Sequence, residues 1–285
     1  MRFALFAILA AGLLPARSLQ NVEYAQASGQ PLLMDGYIPD GDGVHPAAII
    51  VHGGAWVTGD KVRTVRPLFQ PLADGGLAWF SINYRLARGS DPAALISLEG
   101  LSALSSASDD VRNAVAFVRE HAGEYHVDPD RIVLIGESAG AHLASMAALR
   151  PSPGKPVQAV VAFYSPSDLV KLVDTSTRIP EFLRRAVKGS PLEAMLMAGL
   201  KQLSPQTWVS KDAPPFLMIH GTADNLVPFD QSEAMCAALQ ASGDSCELYP
   251  VNGAGHGMNF WEAQPAMMGY KAIMMAWVKA RLGLQ

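Results

Sequence analysis

From about residue 46 to residue 282, apolar runs of strand length alternate with amphipathic segments of helix length. Residues 46–51 (PAAIIV) carry no polar side chain, the pattern of a strand covered on both faces, and a glycine turn follows at Gly53-Gly54. Residues 77–84 (LAWFSINY) predict a second strand, entered through Gly75-Gly76. Ser108 predicts a helix N-cap, with Asp109 and Asp110 in a first turn whose dipole favours acidic groups. Val111, Ala114, Val115 and Val118 then recur at helical spacing and give that helix one apolar face. Asp128-Pro129-Asp130 predicts a turn, 131–135 (RIVLI) a short strand, 141–149 a helix and 157–164 (VQAVVAFY) another strand. Between 165 and 213 the rhythm breaks. Pro166, Pro180, Pro191 and Pro205 punctuate helical patches near 168–174, 179–188 and 191–201, which predicts a small helical insertion. Alternation resumes with a strand at 216–220, a helix over about 228–242, a strand at 246–251 and a last helix over about 263–282. Strands that alternate with helices imply right-handed crossovers and an α/β fold, with a mostly parallel central sheet flanked by helices. No internal repeat or flexible linker interrupts the pattern, which predicts one domain over 19–285.

The first residues follow a different pattern. Arg2, the apolar run 3–14 and the small residues Ala16 and Ser18 predict a secretory signal peptide over 1–18, and with it a secreted or periplasmic protein. The run is shorter than the roughly 20 apolar residues needed to cross a bilayer, so no stable membrane insertion is expected. Charge adds an exclusion. With 22 basic against 26 acidic residues, net −4, there is no basic stripe of the kind nucleic acid requires. Cys236 and Cys246 make an even pair at short spacing, which in a secreted protein suggests a disulfide; two unpaired thiols, one on a helix and one on a strand, are the alternative. Two cysteines are too few for a structural zinc site, no HExxH-like spacing occurs, and no metal is expected.

The candidate chemistry lies at the ends of predicted strands. Gly136-Glu137-Ser138-Ala139-Gly140 matches G-x-S-x-G directly after RIVLI and before a helix, the setting in which the motif forms a strained strand-to-helix turn. Ser138 is therefore the candidate nucleophile. A serine hydroxyl needs a base to take its proton, and His256, in the glycine-rich loop Gly253–Gly257 after a late strand, is the candidate. Asp224 follows the strand FLMI and is the candidate acid that holds the histidine, with Asp168 as its rival. In open α/β sheets, sites gather at the carboxyl ends of strands, and all three residues follow one. His52-Gly53-Gly54-Ala55-Trp56 follows AIIV and can present backbone donors to an oxyanion. Gly54, Ala55 and Ala139 are the expected donors, with Gly53 a hinge or an alternative donor. His52 reads as a brace for that loop, and His142 as a residue that packs or caps locally.

Together with Gly59-Asp60-Lys61 and Asn83-Tyr84-Arg85-Leu86, these motifs resemble the α/β-hydrolase fold serine esterases of the hormone-sensitive-lipase-like group. The nearer likeness is to small bacterial bifunctional feruloyl and acetylxylan esterases, and it runs from about residue 22 to the C-terminus. The resemblance implies cofactor-free hydrolysis of short-chain acyl, foremost acetyl, and feruloyl esters on small molecules or polysaccharides through an acyl-enzyme. Two departures stand out. Ala55 occupies a position where many relatives have glycine, which leaves backbone donors available. The insertion, with Phe182, Leu183, Leu196 and Met197, is the segment that shapes the acyl pocket in such enzymes. Arylformamidases share the HGG-x-W motif, and an amidase or peptidase with the same triad is the rival enzyme. A non-catalytic binding protein on this scaffold is the reading from another class.

Overall fold

A computed structural model of the protein describes residues 15–87, 97–151, 154–175 and 191–284. Among them the strands form one eight-stranded sheet. Its members are β1 (Arg17–Ala27), β2 (Gln30–Ile38), β3 (His45–Val51), β4 (Ala78–Ile82), β5 (Val127–Glu137), β6 (Ala159–Phe163), β7 (Phe216–Gly221) and β8 (Cys246–Val251). They lie in the order β1-β2-β4-β3-β5-β6-β7-β8. β1 and β2 pair antiparallel, as do β2 and β4, and every later neighbour is parallel. The helices are α1 (Phe69–Asp74), α2 (Leu98–Glu120), α3 (Ala139–Leu149), α4 (Leu169–Thr175), α5 (Pro191–Gln202), α6 (Asp230–Ala241), the single turn α7 (Met258–Trp261) and α8 (Tyr270–Leu282).

The period-2 geometry of a strand divides the core in two. From β3, Ala47, Ile49 and Val51 face a cluster that includes Val111 and Val115 of α2, Leu143 and Met146 of α3, and Met235 and Leu239 of α6. Ala48 and Ile50 face the opposite cluster, with Leu72 of α1 and Met274 and Val278 of α8. Full burial of each Val, Leu, Ile or Met side chain among these stabilises the fold by about 1.5–3 kcal/mol. Both faces of β3 are therefore dry, which explains its unbroken apolar sequence. A disulfide joins Cys236 of α6 to Cys246 of β8, the bridged alternative of the two.

Three local expectations are corrected. The helix expected to be capped by Ser108 starts eleven residues earlier, with Ser97 as N-cap accepting from Gly100 N at 3.0 Å. Leu101, Leu104 and Ala107 continue its apolar face backwards, so Ser108 and Asp110 are buried mid-helix, and Asp110 pairs with Arg85. No strand was expected before residue 46, yet β1 and β2 form an antiparallel hairpin whose first residues, Arg17 and Ser18, lie inside the segment assigned to a signal peptide. The last helix, expected over about 263–282, starts only at Tyr270; a 3₁₀ turn over Pro265–Met267 occupies its expected first residues, and the single turn α7 lies before them. In the insertion, α4 and α5 occupy two of the expected helical patches; the third, near 179–188, lies outside the described residues, as do residues 1–14, Phe182 and Leu183. No helix among the described residues is long and apolar enough to cross a membrane.

Candidate active site

β3, β5, β6, β7 and β8 run parallel side by side, so their carboxyl ends share one edge of the sheet. The register keeps those ends level: Val51 pairs with Gly136, Glu137 with Phe163, and Gly221 with Val251. Ser138 leaves β5 at the centre of that edge. Its φ of 51° and ψ of −121° lie outside the regions an L-residue prefers, a strain costing about 1–3 kcal/mol that close packing must hold. The packing is tight enough that a Cβ on Gly136 would overlap the backbone of Gly140, and one on Gly140 would overlap that of Val51. Ser138 N is also tied to β6, donating to Phe163 O at 2.9 Å.

The histidine loop and the acid loop meet because β7 and β8 are neighbours. Ala223 N donates to Ala254 O, and Gly253 N to Thr222 Oγ1 at 2.9 Å. His256 Nδ1–H donates to Asp224 Oδ2 at 2.6 Å, leaving Nε2 to accept from Ser138 Oγ at 2.9 Å. Asp224 has no exposed side-chain surface, whereas His256 keeps 18% of its own. Oδ1 of Asp224 accepts from Leu226 N and Val227 N, each at 2.9 Å. Burial alone would raise its pKa; hydrogen bonds from His220 and His256 outweigh that and hold the carboxyl well below the usual range. His220 stands 3.5 Å from Asp224 Oδ2 and is itself fixed by Ser232 Oγ at 2.6 Å and Val227 O at 2.9 Å. The rival, Asp168, instead accepts from Lys171 N in the first turn of α4.

The loop after β3 is held in a constrained form. Gly54 has φ of 122°, Ala55 of 50° and Trp56 of 62°. Three successive residues on the left-handed side turn the chain so sharply that Val57 N and Thr58 N both reach Gly54 O, at 3.1 and 3.0 Å. The N–H groups of Gly54 and Ala55 donate to no acceptor among the described residues. Ala139 opens α3, where a helix leaves its first N–H groups unpaired. Gly53 differs: its N–H donates to Glu137 Oε1 at 2.7 Å, which favours the hinge over the alternative donor. His52 braces the loop as expected, with Nδ1–H on Gly53 O at 2.7 Å and its ring stacked on Tyr84 at 4.4 Å.

Sequence reasoning passed over Glu137, reading it as the variable position of the motif. Its carboxylate is buried; Oε2 accepts from Tyr164 O–H at 2.7 Å, and the Tyr164 oxygen accepts from Met258 N at 3.0 Å. Burial and the neighbouring Glu137 push the Tyr164 pKa far up, so the phenol keeps its proton. One carboxylate thereby joins the Gly53 loop, the Ser138 turn and the loop behind His256. The Tyr164 ring also meets the His256 ring edge-on at 4.6 Å. An acidic residue in a motif otherwise made of small residues was the one available signal.

His142 is fully buried, with Nδ1 accepting from Trp56 Nε1–H at 3.1 Å and Nε2–H donating to Leu203 O at 2.7 Å. Burial lowers its pKa to about 4, so the ring is neutral near pH 7. Among the described residues no cluster of three or more His, Cys, Asp or Glu is placed to hold a metal ion.

Comparison with known proteins gives three consistent likenesses. The BD-FAE family model matches residues 34–239. Among curated proteins, "Probable carboxylic ester hydrolase LipM" of Mycobacterium tuberculosis is 38% identical over 216 residues, covering 71% of this chain and 47% of its own length. The chain thus spans about half the length of the curated relatives it matches. Among solved structures, the propionate-bound Est2 esterase of Thermogutta terrifontis superposes with a TM-score of 0.71 at 25% identity, covering 93% of this chain and 94% of that one. A truncated carbohydrate esterase from gut microbiota gives a TM-score of 0.72 at 26% identity, covering 94% and 96%.

Proposed function

The chain belongs to the BD-FAE family and has the α/β-hydrolase fold, and from that premise we propose that it is a serine carboxylic ester hydrolase. The observation that carries the proposal is the unbroken chain Ser138–His256–Asp224, at 2.9 and 2.6 Å, set on a strained turn beside unpaired backbone donors. Ser138 Oγ attacks the ester carbonyl while His256 Nε2 takes its proton, and the N–H groups of Gly54, Ala55 and Ala139 receive the negative oxygen. Asp224 holds the imidazole in the Nδ1–H tautomer and stabilises its charged form. The intermediate collapses as His256 returns the proton to the departing alcohol, leaving an acyl-serine that water hydrolyses by the same steps in reverse order of partners. This reading needs no metal or cofactor.

The acyl group is short, acetyl foremost, with feruloyl esters as a second class and carbohydrate as the alcohol side. Three observations support this. The insertion is small and interrupted by prolines, the related Thermogutta esterase binds propionate, and a carbohydrate esterase shares the fold. Leu196 is turned into the core, leaving half-buried Met197 as the expected wall residue within the described part. Each methylene that finds room adds about 0.8 kcal/mol of binding, and overpacking beyond it costs about 1–3 kcal/mol. A panel of nitrophenyl esters of rising chain length, run beside acetylated xylan and methyl ferulate, tests the reading. Acetyl to butyryl esters should be preferred, with a steep fall by about eight carbons on that arithmetic. Faster turnover of decanoyl than acetyl esters would replace the small pocket with a lipase-like one. Export through the 1–18 signal is the proposed localisation, supported by the Arg2 and 3–14 pattern and by the Cys236–Cys246 bridge, which persists in oxidising compartments.

A further inference from the structure

The loop after β3 and the helical insertion come together on a single buried imidazole. His142 sits on α3 one turn beyond Ser138, with its ring edge against Trp56 at 5.2 Å and 88°. Its two nitrogens do different work. Nδ1 accepts the indole N–H of Trp56, the residue after Ala55 and the last of three residues with positive φ. Nε2–H donates to the Leu203 carbonyl, at the C-terminal end of α5, where a helix leaves its final carbonyls without donors. The rest of α5 is anchored by packing: Leu196, Leu200 and Leu203 enter the same core cluster as α2 and α3, and a Cβ on Gly199 would overlap Leu101. The Trp56 carbonyl is held separately, accepting from Ala87 N at 2.8 Å.

We propose that His142 is a positioning residue that couples the insertion to the oxyanion loop, Nδ1 holding the loop for turnover and Nε2 holding the insertion for acyl selectivity. The proposal rests on the reading of Gly54 and Ala55 as oxyanion donors and of the insertion as the acyl-pocket wall. A shift of the loop misplaces donors that act only on the developing charge, so it lowers kcat more than it raises KM. A shift of the insertion changes which acyl chain fits while leaving the donors in place.

Two substitutions separate the bonds, because an asparagine oxygen falls near the Nδ1 position and a glutamine amide nitrogen near the Nε2 position. His142→Asn keeps an acceptor for Trp56 and loses Leu203; His142→Gln keeps a donor to Leu203 and loses Trp56. We would measure kcat and KM on acetyl, butyryl and hexanoyl nitrophenyl esters, per competent site counted by fluorophosphonate titration. His142→Asn should keep acetyl turnover within about threefold of wild type and change the acetyl-to-hexanoyl ratio by about fivefold or more, the scale of one modest contact. His142→Gln should lose about tenfold in kcat on all three esters, one hydrogen bond's worth, with that ratio unchanged. Any other pairing, including equal behaviour of the two variants, overturns the coupling. If neither folds, Trp56→Phe removes the loop bond alone and should repeat the His142→Gln result; unchanged kcat or an altered ratio overturns the proposal. A wild-type protein without Ser138-dependent hydrolysis would sink the esterase reading beneath it, a failure that shows before any His142 variant is made.

Discussion

The carboxyl edge of the sheet and the helical insertion are built to different standards of constraint. At the sheet edge each functional group is held several times over. Asp224 accepts from His256, Leu226 and Val227 with His220 beside it, and Glu137 joins the Gly53 loop to Tyr164 and Met258. The described part of the insertion is held by hydrogen bonds at its base and by the packed face of α5. Gln231 accepts from Ser167 and Asp168, Ser204 accepts from Leu169, and His142 receives the end of α5, while Leu192 and Met195 stay exposed. Bond-making chemistry tolerates displacements well below 1 Å, so its groups sit on rigid strands with redundant hydrogen bonds. Selection among acyl groups, the role proposed for the insertion, needs only a wall of suitable volume, which such a segment can supply while leaving the triad untouched.

The largest break in this comparison is removal of the nucleophile. Ser138→Ala should lower kcat by about 10⁴–10⁶, the scale of losing a triad serine, on every ester alike. A variant that keeps a tenth of the activity would end the assignment of Ser138.

Glu137 tests whether redundancy at the sheet edge matters for turnover. Glu137→Gln keeps an acceptor for Gly53 N but turns an amide donor toward Tyr164, whose oxygen already accepts from Met258 N. Loss of one hydrogen bond to a charged group is worth about 1.5–3 kcal/mol, so kcat should fall about 10–100-fold with little change in KM. Steady-state kinetics on an acetyl ester decides it. An unchanged kcat would show that the carboxylate is mere filling, and a loss confined to KM would move Glu137 to substrate binding.

Much of this was legible before any coordinates, and unevenly so. The inner parallel strands could be read because strands buried on both faces are written as unbroken apolar runs, as in AIIV and RIVLI, whereas the edge strand β8, with Glu247 and Pro250 exposed, was read from its place in the alternation. β1 and β2 escaped because they lie at or next to the sheet margin, and β1 in particular leaves most of its side chains exposed or half-buried. The start of α2 was misplaced because Ser108, directly ahead of Asp109 and Asp110, looked like a cap, while the decisive capping bond lies at Ser97. Ser138, Asp224 and His256 were nameable because each follows a strand in glycine-rich surroundings. The supporting groups were not. Tyr164, His220 and Glu137 are ordinary strand or motif residues in sequence, and only packing reveals what they touch.

A smaller effect sits between the two regions, in the histidine that joins them. The unfolded imidazole protonates near 6.5, whereas burial holds folded His142 at about 4. Its contribution is therefore constant above about pH 6.5 and falls as pH drops toward 4, by up to about 1.4 kcal/mol per pH unit. Buried His52, also lowered, adds in the same direction. Denaturant melts at pH 7, 6 and 5 should show this decline in wild type and a shallower one in His142→Gln. Parallel declines would mean that His142 is not held neutral.

Acyl-enzyme chemistry at Ser138 requires a hydroxyl that can be trapped covalently. The protein is treated with a small fluorophosphonate and analysed by intact mass and peptide mapping. One phosphonyl group per chain, located on Ser138, absent in Ser138→Ala and formed far more slowly in His256→Ala, is the predicted result. Labelling of a different residue, or ester hydrolysis that persists while Ser138 remains unlabelled, would contradict the account.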